Sequence, residues 1–512
     1  MKNIEPSTNS YRKIVSSTAV LGSAQFVNVL MNILRGKLVA VILHSAGMGI
    51  MSLLQNAANT IQQFALLGIN VSAVRFISKA DSEQEEASAE EKAVKAQALS
   101  TTIRIVRALV LMASCAALLF TLAISPLMSQ FSFGSYEYVA FFLLLSIYIF
   151  FNIMGAGEMA VMQGLRRYRK LALCSIVPPL CGLLISVPIY YFWGNDGIVP
   201  AMIVSGIIYW IVIRKYSFHE HNGSAERRSL PLRTIWHEGQ GILRLGVVMT
   251  ISTIVGAITT YALMAFISNT GSVSDVGLYQ AANFVAMQYI NMIFTAMATD
   301  YYPRLAALIQ SKEEEAHQLV NQQIEIVLLI TAPLVILTIL TAPLLITILL
   351  TEEFQPIRSI IYFMGLSGLL KALCFPMDYI AYAKGDKQFI FWVETVWSNI
   401  KTFSVIAAFY YVYGLKGLGY GVLTSSIIDV VVSLSLVRLR YNFTLSSLSL
   451  RILIIMLSLT CICFIATFIE SSYMRYSIMA LSSITCFTLC FIELNKRIDF
   501  HSLVSRFTNR KS

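Results

Sequence analysis

Apolar stretches near the roughly 20 residues needed to cross about 30 Å of hydrocarbon recur along the whole 512-residue chain. Fourteen are legible, at about 14–43, 47–76, 100–125, 138–162, 171–193, 197–213, 241–268, 276–299, 325–350, 358–383, 388–412, 417–437, 452–470 and 474–493. Only 13% of residues are charged and 56% are hydrophobic, against about 25% charged in a soluble domain, which argues against a water-soluble enzyme. The first span lacks a short apolar region with a small-residue cleavage site and runs on through Arg35 and Lys37, so it reads as a retained helix. With a cytoplasmic N-terminus, inner segments collect 28 of the 38 Lys and Arg residues, and outer loops hold three, Arg358, Lys416 and Arg475. That bias predicts an even number of spans with both termini cytoplasmic. The net charge of +10 then reflects basic loops such as Arg166-Arg167-Tyr168-Arg169-Lys170 meeting anionic membrane lipids, and gives no argument for nucleic acid.

Two local repeats organise the spans. Tyr-Tyr-Phe-Trp-Gly-Asn-Asp-Gly-Ile from Tyr190 returns 220 residues later as Tyr-Tyr-Val-Tyr-Gly-Leu-Lys-Gly-Leu from Tyr410. The hexapeptide from Leu54 to Asn59 resembles Leu278 to Asn283 at an offset of 224. The fold class expected is an all-α integral membrane protein of about 14 helices, with two pseudo-symmetric six-helix lobes related by an axis along the membrane normal. The domains expected are a cytoplasmic N-terminus (1–13), an N-lobe (14–213), a cytoplasmic connector (214–240), a C-lobe (241–440), an appended helix pair (441–493) and a basic cytoplasmic tail (494–512). The polar loop from Lys79 to Lys95 reads as a solvated amphipathic segment.

Polar residues inside spans are the informative ones, because transporters with such repeats place substrate near the midplane between them. Gln25, Asn28, Asn32 and Arg35 follow one another at steps of three, four and three, forming one stripe on the first helix. The second span carries Gln55, Asn59, Gln62 and Gln63, and its counterpart carries Gln280, Asn283, Gln288 and Asn291. A shared aqueous cleft would hydrate all three faces; interhelical hydrogen bonds are the alternative.

Eight charges fall inside spans: Arg35, Lys37, Glu158, Lys371, Asp378, Glu394, Lys401 and Asp429. Exposed to lipid they would cost on the order of 20–28 kcal/mol, more than a typical net stability of about 5–15 kcal/mol, so they face protein or water. Glu158 and Asp378 are again 220 apart, one per lobe, and with Glu394 and Asp429 they are candidates for coupling to H+ or Na+. Lys371 and Asp378, like Glu394 and Lys401, are seven apart and share a face, so each pair could neutralise itself directly or through a neighbour. Arg35 and Lys37 have no acidic residue within a turn on their own helix, which makes them candidates for an anionic ligand.

The remaining features are bland. Prolines 178, 179, 188, 333, 343 and 376 permit bends, and His44 sits alone at the end of the first span. All eight cysteines fall inside spans with no ligand-spaced Cys/His cluster, so no disulfide framework, zinc site or bound cofactor is expected. Neither an Asp-X-Asp motif nor a phosphate-cradling Gly-rich loop occurs, and outer loops are mostly about 3–13 residues, which disfavours an enzyme or an ATP-driven exporter.

Three stretches carry a family resemblance: Arg35-Gly-Lys-Leu-Val-Ala-Val-Ile-Leu-His-Ser-Ala-Gly-Met-Gly49, Asp275-Val-Gly-Leu-Tyr-Gln280 leading to Tyr302-Pro-Arg-Leu305, and Glu353-Phe-Gln-Pro-Ile-Arg358 followed by Lys371 and Ala383-Lys384. They resemble the Wzx-type flippases for lipid-linked O-antigen or enterobacterial common antigen units, in the multidrug/oligosaccharidyl-lipid/polysaccharide exporter superfamily, over roughly residues 10–440. The resemblance implies two six-helix lobes in a V, a multi-pass protein of the bacterial inner membrane, and transfer of an undecaprenyl-diphosphate-linked glycan to the periplasmic leaflet. It also implies a place in lipopolysaccharide biosynthesis, with a polysaccharide polymerase and a chain-length regulator as candidate partners. Related lipid II flippases carry a cavity-lining arginine where Arg35 stands. Two features lie outside the resemblance: many Wzx proteins stop at twelve helices, and Asp378 is not supplied by it. The expectation is that Arg35, Lys37 and Lys371 hold the diphosphate. A cation-coupled multidrug exporter of the same superfamily and a membrane glycan polymerase or glycosyltransferase are the alternatives.

Overall fold

The computed structural model describes residues 8–85, 91–218 and 231–497. Parts of the expected N-terminus, polar loop, connector and tail lie outside these residues, as does the side chain of Gln25. The described chain is helical almost throughout, without a β-strand.

The helices are α1 (Thr8–Leu66), α2 (Ile69–Glu85), α3 (Lys92–Phe133), α4 (Val139–Gly164), α5 (Tyr168–Trp193), α6 (Ile198–Phe218), α7 (Leu232–Thr270) and α8 (Val273–Leu308). They continue as α9 (Glu313–Leu349), α10 (Arg358–Lys384), the single turn α11 (Lys387–Phe389), α12 (Ser398–Tyr413), α13 (Leu415–Tyr441), α14 (Ser447–Ala466) and α15 (Ser472–Arg497). A π-helical segment, Ile390–Trp397, joins α11 to α12. Among the described residues ten stretches are long and apolar enough to cross a membrane. Two of them, Val27–Leu66 and Arg169–Ser217, each hold two of the expected spans, so the ten account for twelve of the fourteen. The other two are α8 and the α11–α12 region.

Two expectations need correction. The second span was expected to reach residue 76, but the helix ends at Leu66, because Leu67 and Gly68 take positive φ angles of 43° and 74° and turn the chain into α2. The loop expected from Lys79 is helical as far as Glu85, where Lys79 and Glu83 pair at 3.9 Å one turn apart. Between the first two spans helical hydrogen bonding bridges a kink at His44, whose φ of 60° and ψ of −169° put a non-glycine residue in a sparsely populated region.

The 220-residue repeat has a structural counterpart. Gly194 and Gly414 both take positive φ, 54° and 58°, and the amide of each caps its helix by donating to the carbonyl of Tyr190 or Tyr410. Both tyrosines are buried. The same four-residue step from aromatic to glycine therefore ends α5 and α12 in the same way.

The chain divides into two compact units at the Gly277–Leu278 junction, within α8. In the first, α4 packs on α3 and α6, α5 on α6 and α1, and α7 on α1, α2 and α3. Three of these helices are tied by one buried carboxylate. Glu158 on α4 accepts from Arg107 of α3 at 3.0 Å and 2.9 Å, from Ser217 of α6 at 2.6 Å, and from Arg214 of α6. Both carboxylate oxygens are thus occupied, and the side chain is 3% exposed.

In the second unit α10 packs on α9 and α13, and α12 on α13. The pair α14–α15 docks on α9 through Glu325, which accepts from Arg497 at 3.1 Å and 3.0 Å and from Ser449 at 3.0 Å. Beyond the end of α10, Asp386 accepts from Arg440 at 2.5 Å and 3.0 Å, from the Tyr441 hydroxyl at 2.9 Å and from the Phe389 amide at 3.1 Å. These bonds, led by Arg440, hold the Asp386 carboxyl at about 2.

Two outcomes follow from these anchors. Glu158→Ala removes the carboxylate that Arg107 and Arg214 share, and should lower stability by about 3–5 kcal/mol in thermal unfolding of the nanodisc-embedded protein. An unchanged midpoint would show that the clamp does not hold the unit together. Because the folded value of Asp386 lies below its unfolded one, its contribution is complete above about pH 4 and fades as pH falls toward about 2. Asp386→Asn should remove that component of the acid slope, leaving the neutral-pH ranking of other variants unchanged.

Candidate ligand cavities

Each unit contains its own polar cavity. The cavity of the first unit, about 190 Å³, lies among α1, α4, α5 and α6. Arg35 and Asn32 enter it from α1, Tyr148 and Asn152 from α4, and Tyr209 from α6. On α5 its wall is Pro178, Pro179, Gly182 and Ser186, a stretch in which two adjacent prolines donate no backbone hydrogen bond. The two tyrosine rings are seated by glycines: a Cβ on Gly155 would lie 2.3 Å from the Tyr209 ring, and one on Gly206 would lie 2.9 Å from the Tyr148 ring. Reciprocal ring-on-glycine contacts between α4 and α6 thus set the width of the cavity.

Among the described residues no carboxylate pairs with Arg35. A guanidinium is always charged and presents five donors, so this cavity offers an anion a fork of N–H groups beside the Asn32 and Asn152 amides and the Tyr148 hydroxyl. Lys37, two residues further along α1, is not among the lining residues, in keeping with the helical rule that positions i and i+2 face apart.

A cavity of the second unit, about 230 Å³, is lined by four of the eight charges inside spans. Lys371 and Asp378 reach it from α10, Asp429 and Ser433 from α13, and Glu394 from the π-helical segment. Widening to a π-helix adds a residue to the turn and re-aims its side chains, a geometry found often at functional sites. Ser433 donates to Asp378 at 2.9 Å. Lys401 does not meet Glu394 on its own helix: it pairs with Asp429 and donates to the Ser425 carbonyl at 3.2 Å. Neutralisation through a neighbouring helix is therefore what the fold uses there. Lys401 is 3% exposed and Asp429 28%, so the lysine is sealed behind a carboxylate that still borders the cavity.

The residues singled out from sequence thus fall into three settings. Arg35 and Asn32 line the first cavity, while Lys371, Asp378, Glu394 and Asp429 line the second. Glu158 occupies neither, being clamped between its two arginines. Gln55, Asn59 and Asn291 are exposed, and Asn28, Gln62, Gln280 and Asn283 are half-buried. Sequence reasoning did not single out Tyr148, Asn152, Tyr209 or Ser433. Ser433 carried a signal, one turn beyond Asp429; the two tyrosines carried none, since aromatic residues abound in every span.

Residues 104–359 match the family described as polysaccharide biosynthesis protein. The chain is 23% identical over 386 residues to the lipid III flippases of Escherichia coli K12 and Shigella flexneri, spanning 73% of this chain and 86% of each relative. Among solved structures it resembles the lipid II flippase MurJ in its inward closed conformation, with a TM-score of 0.66 at 14% identity over 94% of this chain and 99% of that one. It also resembles an inward-facing multidrug resistance MATE family transporter of the MOP superfamily, with a TM-score of 0.61 at 16% identity over 81% and 94% of the two chains. The match to the family extends over half of the sequence and the fold agrees over nearly all of it: the chain belongs to the polysaccharide biosynthesis protein family, built on the MOP-type membrane fold.

Proposed function

We propose that this protein is a flippase for an undecaprenyl-diphosphate-linked oligosaccharide, an O-antigen or related surface-polysaccharide unit, carried from the cytoplasmic to the periplasmic leaflet of the bacterial inner membrane. The observation that carries this reading is Arg35, an intramembrane cation with no carboxylate partner among the described residues, set in a cavity of hydrogen-bonding side chains. A diphosphate supplies the charge and the acceptor oxygens that such a group lacks. Lipid III flippases among its relatives support a lipid-linked substrate.

In this reading the chain is a transporter and not an enzyme, working by alternating access with both termini cytoplasmic. Arg35 takes the diphosphate first, with Lys37 and Lys371 as further basic groups along its route. Asn28, Asn32, Gln55, Asn59, Gln62, Gln280, Asn283 and Asn291 hydrate the sugars, while the prenyl tail stays in lipid. Asp378, Glu394 and Asp429 set three carboxylates against Lys371 and Lys401, leaving one negative charge to be met by H+ or Na+. That excess supports the second cavity as the coupling site, and the occupied oxygens of Glu158 support a structural role for it. A polymerase and a chain-length regulator would receive the product.

The same carboxylate excess favours one second reading, export of a cationic compound through the second cavity. Reconstituted vesicles separate the two. Arg35→Ala should slow transfer of a fluorescent undecaprenyl-diphosphate oligosaccharide roughly 30-fold or more, the equivalent of about 2 kcal/mol, with Arg35→Lys between it and the parent. Full transfer by the alanine variant would remove the central claim, and transport of a cationic dye without lipid transfer would establish the exporter. Asp378→Asn should abolish the response of the transfer rate to an imposed pH or sodium gradient. An undiminished response would move coupling elsewhere.

A further inference from the structure

Beside the second cavity the rings of α8 and α10 form a continuous ladder that the proposed transport cycle does not yet use. Phe294 stacks on Phe375 with centroids 4.6 Å apart and planes 15° from parallel. Phe375 meets Tyr379 at 5.0 Å, and Tyr379 meets Tyr382 at 5.7 Å and Tyr302 at 5.8 Å. Phe375, Tyr379 and Tyr382 follow at steps of four and three, one face of α10, and extend over about 10 Å along its axis.

Four observations set this ladder apart from ordinary interfacial anchoring. Its upper rings, Phe294 and Phe375, line the cavity that holds Lys371, Asp378, Glu394 and Asp429, a place lipid chains would not fill. Its lower rings are uncovered, Tyr302 being 40% and Tyr382 39% exposed, although each is large and mostly apolar. On α8 the exposed Gln288, Asn291 and Thr295, spaced by three and four, share one face that leads up to Phe294, so the approach to the ladder's first ring is polar. Behind it Tyr301, 2% exposed, donates to the Pro376 carbonyl at 2.8 Å and packs edge-on against Tyr379 at 5.9 Å, fixing that ring from the rear. The surface is therefore aromatic, backed by a buried ring, approached by polar side chains at one end and continuous with an ionic cavity.

We infer that this ladder is a stacking surface for pyranose rings, along which the glycan of the substrate lies as it reaches the second cavity. The negative face of an aromatic ring attracts the weakly positive C–H edge presented by a sugar ring, while flanking amides and hydroxyls meet its hydroxyls. Stacking of this kind tolerates different sugars, since it reads shape and C–H faces more than hydroxyl pattern, as sequence-tolerant base stacking does in single-strand binding. The phenolic hydroxyls of Tyr302 and Tyr382 add polar contacts at the exposed end. The inference rests on the flippase reading only for the origin of the glycan.

The full-length protein in nanodiscs is titrated with two probes, undecaprenyl diphosphate alone and the same lipid carrying a trisaccharide. The parent should bind the glycan-bearing probe more tightly, and Tyr302→Leu/Tyr379→Leu should lose tenfold or more of affinity for it with unchanged affinity for the bare lipid. The corresponding double phenylalanine variant should keep most of the parent's affinity. Tyr382→Leu, at the exposed end, gives the same readout at smaller size should the double variant fail to fold. A parent that gains nothing from the sugar, or leucine variants that bind both probes as the parent does, would overturn the inference and leave the rings as interfacial anchors. Arg35→Ala, tested in parallel, separates the two ideas: bare-lipid binding indifferent to Arg35, with glycan binding still dependent on the rings, would sink the diphosphate reading and leave the sugar surface standing.

Discussion

Hydrocarbon has no hydrogen bond and no counter-charge to offer, so every charged side chain within a span must be answered by protein, by water or by a ligand. The two units answer differently. In the first, Glu158 is answered completely by Arg107, Arg214 and Ser217, and the result is a tie between α3, α4 and α6. Arg35 has no carboxylate partner among the described residues, and its cavity is lined by the dipolar side chains of Asn32, Tyr148, Asn152 and Tyr209. A clamped carboxylate and a polar cavity around an arginine thus coexist in one unit, and α4 and α6 contribute to both.

The second unit inverts this arrangement. Its carboxylates outnumber its lysines around one cavity, and the pair Lys401–Asp429 neutralises only part of the charge. The π-helical segment that presents Glu394 is the backbone device that makes this crowding feasible, because an α-helix through the same residues would aim the side chains differently. The appended pair α14–α15 stays clear of this cavity's lining and is anchored on α9 by Glu325, Ser449 and Arg497. Apolar packing continues from that polar anchor along the helices: Ile452, Met456 and Cys463 of α14 are buried, and Phe464 near its far end meets Phe363 of α10 at 4.9 Å.

Glu158 and Asp378 show how far an internal repeat can be trusted. They stand 220 residues apart, the offset that also relates the glycine-capped ends of α5 and α12. Backbone geometry has followed the repeat at those caps because a positive-φ glycine is a local requirement. Side-chain environment has not: two arginines grip Glu158, whereas Asp378 meets a serine and an open cavity. An equivalent position in a repeat fixes where a carboxylate sits along its helix and leaves its partners to the neighbouring helices.

The helical membrane architecture was legible in the amino-acid order because it depends on runs of apolar residues and on composition, both of which act locally on the chain. The break at Leu67–Gly68 was not, since an apolar run continued through it and only a positive-φ turn marked the change. The buried charges could likewise be counted and required to face inward, and the polar stripe ending at Arg35 could be seen from helical spacing alone. Which charge met which was another matter. Lys401 chose Asp429 across to α13 over Glu394 on its own helix, and Tyr148 and Tyr209 became cavity walls because Gly206 and Gly155 on opposing helices left room for their rings. Periodicity fixes the face of a helix on which a residue lies; only the packing of one helix against another decides what stands opposite that face, and the strength of an ionic or aromatic contact depends on that opposite partner.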